Sequence, residues 1–212
     1  MTSSQLTQIM RAVQRFHARW HEPGHDFPHV ERVAAVSRTI AKREGVPVRA
    51  AVAAAYLHNF DRAFEGKSPD PMEAGLVVVR RMLRAARMAP RESATIVEAV
   101  RTHSFSRDIR PTNRVGEVLW DADKIDAMGA IGAIRCFEVG ARRLRMTYAA
   151  SDPFCVHRVP DDRQYTLDHF YRKLFQLPAV LCTPTARTMA RQRIRWMRQL
   201  LAQLAAELAG ER

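Results

Sequence analysis

Three carboxylates fall within six residues, Asp121, Asp123 and Asp126, in the stretch "LWDADKIDAMGAIGA". The stretch is otherwise mostly apolar and of helical character, and a carboxylate there is costly to bury unless it is paired or bound to a metal. Histidines stand at comparable places elsewhere. His58 closes the largely apolar run Val46–Leu57 in "AYLHNFD", His29 opens a helical segment in "HDFPHVERV", and His103 lies near the end of another. Neutral imidazole together with carboxylate suits a divalent Mn, Fe, Ni, Co or Zn ion. The residue after His58 is Asn59, an amide where a metal site would want a carboxylate. An amide oxygen coordinates more weakly and brings no charge. Plainer roles stand beside these: a solvent-facing first-turn position for His29, and caps or salt bridges for Asp121 and Asp126. His103 could equally answer a helix dipole.

These residues have to be positioned by helices. Leu6, Ile9, Met10, Val13 and Phe16 recur with the helical period and predict a first helix. Asp26 is placed to cap a second, with Pro28 in its first turn and Val30, Val33, Ser37, Ile40 and Ala41 on one face. Gly45-Val46-Pro47 ends it, and Val48–Leu57, apolar almost all round, predicts a buried central helix. A fourth helix is expected over Met72–Met88, and a fifth opens at Pro90-Arg91-Glu92. After a loop over Arg107–Asn113, one long helix is expected from Arg114 to Tyr148. A Pro- and Asp-containing loop, Ser151–Asp162, precedes helices over Leu167–Leu177 and Thr185–Leu208. No segment alternates with period two. The expected fold is all-α, one domain over 1–212, with a helical core (1–150) and a C-terminal helical extension (151–212).

At 212 residues such a domain can bury roughly 70 % of the surface its unfolded chain exposes. Three scattered cysteines, with no CxxC pair, argue against a disulfide framework or zinc knuckle and for a reducing cytoplasm. No run of about 18 apolar residues suggests a membrane span, so a membrane partner is not expected. The net charge of +12, mostly arginine, favours anionic partners. Aromatic residues are not interleaved with the basic stretches, and the arginines of Arg187–Arg198 share their helix with apolar residues in packing register. Nucleic acid is therefore not the expected partner.

The order His29, His58-Asn59, Asp123, with 29 and 64 residues between successive motifs, resembles the H…HD…D pattern of the HD-domain metal-dependent phosphohydrolases. "HDFPHVERV", "AYLHNFD", "VEAVRTHSF" and "DADKIDAMGAIG" are similar to that family's successive motifs. The segment "DPFCVHR…YTLDHFYRKLFQLP" is similar to a bacterial nucleotide phosphohydrolase and pyrophosphohydrolase subgroup. The resemblance implies an HD-type helical bundle with additional C-terminal helices. It also implies a divalent metal (Mn, Mg, Co, Ni or Fe) and a nucleotide or related phosphate ester, such as a nucleoside triphosphate, as substrate; a homodimer would be compatible with it.

Carried over by position, His29 and His58 would be imidazole ligands and Asp123 the distal carboxylate. Asn59 stands where the doublet's aspartate is expected. Asp61, some 200° from Asn59 on an ideal helix, could reach the site only if the helix breaks there. Asp61 and His103 are the candidate catalytic groups. Arg32, Lys124 and, through closure of the C-terminal helices, Lys173 are the candidate phosphate contacts. His17, His21, His25, His157 and His169 read as surface or packing residues. The alternative that Asn59 raises is a catalytically impaired HD-fold protein that binds or senses a nucleotide.

Overall fold

The computed structural model describes residues 1–20, 26–103 and 109–211. His21, His25 and the start of the loop expected at Arg107 lie outside them. Among the described residues there is no strand, and the chain is all-α. It divides into two compact units, Met1–Asp123 and Lys124–Arg212.

The first unit is built around α3 (Val48–Leu57), against which α1 (Ser3–His17), α2 (Phe27–Arg43) and α5 (Pro90–Arg101) pack. Burial explains the composition of α3: Ala50 through Leu57 are all buried, and its alanines let three helices approach closely. The helix starts are written locally. The Thr2 side chain accepts from Gln5 N while the Gln5 side chain answers the Thr2 amide, a capping box. Asp26 accepts from His29 N at 3.0 Å, and Asp70 caps α4 (Pro71–Ala85) through Glu73 N.

The single helix expected from Arg114 to Tyr148 is two helices, α6 (Arg114–Asp126) and α7 (Gly129–Arg142). Gly129, at φ +77°, takes a conformation that only glycine adopts freely, and the chain turns there. The break frees carbonyls at the end of α6. Within the second unit, Arg193 of α9 (Pro184–Leu208) donates to Ile125 O at 2.6 Å and to Met128 O at 3.3 Å. The helix expected over Leu167–Leu177 is likewise interrupted, into α8 (Asp168–Arg172) and a 3-10 segment, Leu174–Val180, that contains Pro178. No helix among the described residues is long and apolar enough to cross a membrane.

Candidate metal centre

His29 sits in the first turn of α2 because Asp26 caps that turn and Pro28 starts it. His58 sits one residue past α3, at the C-cap, where the helix has ended. Both imidazoles are fully buried. A carbonyl oxygen only accepts, so the 2.6 Å contact of His58 Nδ1 with Ala55 O places the proton on Nδ1 and leaves the Nε2 lone pair outward. Burial first, and then His103 and His29, push His58 well below the ordinary imidazole range, although Asp123 and the Ala55 bond oppose this. It is neutral at pH 7, the form that metals bind.

Asp123 of α6 completes the group. His29 Nε2 and His58 Nε2 lie 3.2 Å apart, and Asp123 Oδ1 is 3.7 Å from the first and 3.8 Å from the second. The ligand atoms of these three residues all fall within 4.8 Å of one another. With metal–nitrogen and metal–oxygen bonds of about 2.0–2.2 Å, one ion can bridge donors at such separations. Two imidazoles and a carboxylate also match the chemistry of a divalent transition ion. The residues fit a metal.

The other sequence candidates are distributed around or away from this group. Asn59 is 4 % exposed, and its Nδ2 is buried without a hydrogen-bond partner among the described residues. Asp61 lies past the end of α3, in the turn that leads into a 3-10 segment at Arg62–Phe64; its Oδ1 is buried, again without a hydrogen-bond partner there. The helix break that Asp61 needed is present, one residue earlier than Asn59. His103, buried at the end of α5, donates Nδ1–H to Val100 O at 2.6 Å and meets the His58 ring edge-on at 5.2 Å. Arg32 is half-buried one turn beyond His29 on α2. Lys124, next to Asp123, is buried, and Lys173 is exposed after α8; both belong to the second unit. Asp126 is paired with Arg135 at 2.8 Å. Asp121 is buried but outside the converging three.

One contributor was not visible as a motif. Gly75 of α4 packs directly on the turn after His58-Asn59. A Cβ there would stand 2.6 Å from Asp61 N and 2.8 Å from the Phe60 carbonyl carbon, both backbone atoms that cannot swing away. Gly75→Ala is expected to displace this turn, cost about 1–3 kcal/mol as an overpacking change, and weaken divalent-metal binding. Thermal melts with and without Mn or Ni check both effects. A variant that melts lower yet gains as much from metal as the parent would show that the turn does not position the centre.

Helices that bury two imidazoles and set a carboxylate beside them make an all-α protein with a group that could hold a metal ion. Residues 27–128 match the HD domain family, a span that takes in His29, His58, Asn59, His103 and Asp123. That match and the similar solved structures support membership of the HD-domain superfamily. An uncharacterized protein of Bacillus subtilis, YpgQ, is 28 % identical over 193 residues, covering 88 % of this chain and 86 % of its own. An HD-superfamily hydrolase of Bacillus thuringiensis has a similar structure, with a TM-score of 0.77 and 28 % identity over 96 % of each chain. The crystal structure of Bacillus subtilis YpgQ in complex with ADP is similar at a TM-score of 0.76 and 27 % identity, covering 96 % of this chain and 94 % of that one.

Proposed function

We propose that this chain is a metal-dependent phosphohydrolase of a nucleotide or related phosphate ester, with His29, His58 and Asp123 as the metal ligands. The convergence of their three donor atoms carries the reading. The ADP held by the similar YpgQ supports a nucleotide as the ligand class. A divalent ion bound there supplies Lewis-acid polarisation of a phosphoryl oxygen and lowers the pKa of a water. The protein's own groups do the rest. Ala55 O holds His58 in the tautomer that leaves Nε2 able to ligate. His103, with its proton on Nδ1, keeps Nε2 able to accept a proton and later return it. Asp61 is the candidate carboxylate for orienting the attacking water, and Arg32 is the candidate group for neutralising phosphate charge.

Asn59 favours a second reading, a nucleotide-binding protein whose catalysis is impaired. An amide in the doublet leaves the centre one negative charge short. Metal content and the release of phosphate or pyrophosphate from nucleoside triphosphates, measured with Mn, Mg, Co and Ni, separate the two. Asn59→Asp is expected to raise metal affinity by at least roughly tenfold, on the scale of other changes around metal sites. Turnover by the parent chain supports the hydrolase, and turnover by Asn59→Asp alone supports the impaired form. Absence of metal binding and of product from both proteins would end the phosphohydrolase reading.

A further inference from the structure

From Pro184 to Ala206, α9 carries five arginines and not one Asp or Glu. Two of the arginines are used internally. Arg187 donates to Leu181 O and Cys182 O, and Arg193 closes the end of α6 as described above. The remaining three, Arg191, Arg195 and Arg198, recur at i, i+4 and i+7 on one stripe of the helix, spanning roughly 10 Å along its axis at about 1.5 Å per residue. All three are exposed, and none has a carboxylate within ion-pair distance among the described residues. Elsewhere in the same unit exposed arginines do pair, Arg142 with Glu138 and Arg172 with Asp162.

The stripe forms one wall of a cleft of about 660 Å³. The opposite wall is Phe175 and Pro178 of the 3-10 segment, and Ile194 lines the same cleft. Arg198 lies over the Phe175 ring, 5.4 Å from its centroid, so a flat cationic and aromatic surface adjoins two further guanidinium groups. Sites for small ligands have volumes of roughly 300–1,000 Å³ and combine apolar walls with a few polar groups. Guanidinium forks match phosphate oxygens in pairs, and planar heterocycles stack on aromatic and guanidinium faces. An apolar cleft with three uncompensated cations calls for a ligand that is planar at one end and multiply anionic at the other.

We propose that this cleft, built wholly from residues of the unit Lys124–Arg212, is a second anion site that binds a nucleoside polyphosphate. The base lies against Phe175 and Arg198, and the phosphates lie along Arg191 and Arg195. A membrane surface is the poorer match, because lipid headgroups offer nothing planar to stack beside Phe175 and Arg198. The site does not depend on hydrolysis at the metal centre.

Calorimetric titration with ATP in the presence of EDTA, using the full chain carrying His58→Ala, tests it with the metal centre disabled. Saturable binding is expected, weakened roughly tenfold or more by Arg195→Glu with Arg198→Glu. Phe175→Leu is expected to weaken ATP but leave inorganic triphosphate unchanged, which separates stacking from charge. The exposed arginines leave the core untouched, and circular dichroism of each variant confirms folding. No ATP binding to the His58→Ala chain would overturn the proposal, as would binding indifferent to the arginine changes. So would association with phosphatidylserine vesicles without ATP binding.

Discussion

Asp123→Ala is expected to abolish stoichiometric divalent-metal binding while leaving the fold intact. Asp123 supplies the one negative charge among the three converging donors, and it stands 3.7–3.8 Å from both imidazole nitrogens. Without it, two imidazole nitrogens 3.2 Å apart remain, with an amide in place of the doublet's carboxylate. Loss of a group that merely supports a ligand costs about 10–100-fold in metal affinity, and loss of the charged ligand itself should cost more. The fold should tolerate the change. The Asp123 side chain is 29 % exposed on a helix, so alanine leaves no sealed cavity and improves helix propensity. Competition with a fluorescent chelator for Mn or Co reads the affinity, and a melt in EDTA reads the fold. An affinity equal to the parent's would place the centre elsewhere.

The second large effect lies in the C-terminal unit and concerns stability. Asp168, fully buried at the start of α8, accepts from both terminal nitrogens of Arg158, at 2.5 and 2.7 Å, and from Asp161 N at 2.6 Å. The Arg158 guanidinium also lies 5.0 Å from the Tyr165 ring centroid. One carboxylate thus ties the loop before α8 to the helix itself. Asp168→Asn leaves the guanidinium facing an amide with one acceptor oxygen in place of two. Breaking a buried pair costs about 3–5 kcal/mol, and with Arg158 partly exposed the lower end is expected. That corresponds to a fall in Tm of roughly 6–12 °C for a chain of this size.

Acid provides an independent check on the same pair. Burial alone would raise the Asp168 carboxyl, but Arg158, the Asp161 amide and Cys155 outweigh it and hold the group below its ordinary value. Its stabilisation is therefore complete above the unfolded-state value near 3.9 and is lost as pH falls through the lower folded-state value. The parent should lose stability more steeply than Asp168→Asn over that acidic window. Parallel melting curves from pH 6 to pH 2 would show converging Tm values, whereas a constant gap would refute the assignment.

Much of the first unit was legible because its signals are local. A capping aspartate with a proline in the first turn defines the start of α2 and therefore where His29 stands. An almost wholly apolar ten-residue helix announces its own burial, and whatever polar group follows it, here His58, is carried inside. The break after Asp126 was not legible, since "DAMGAIGA" has good helix formers on both sides of its glycines. The left-handed turn at Gly129 is stabilised by Arg193, 64 residues further on. The Leu167–Leu177 segment was misread for a related reason: its apolar period continues across Lys173, while the backbone passes into a 3-10 segment around Pro178. The Arg158–Asp168 pair and the Phe175–Arg198 stack gave no local sign, because each joins residues from different elements.

Residue chemistry, helical periodicity and motif order follow from neighbours along the chain, and they alone determined the all-α class and the set of histidines and carboxylates from which a metal centre could be drawn. Three carboxylates within six residues are equivalent to any reading of spacing. The tertiary structure separated them: Asp123 turns to His29 and His58, Asp126 to Arg135, and Asp121 into the core. The proton on His58 Nδ1 was settled in the same way, by a carbonyl that the end of α3 leaves without a helical partner. Donor types are written residue by residue, but which of them share a point in space depends on how helices distant in sequence pack, and only the folded chain sets that.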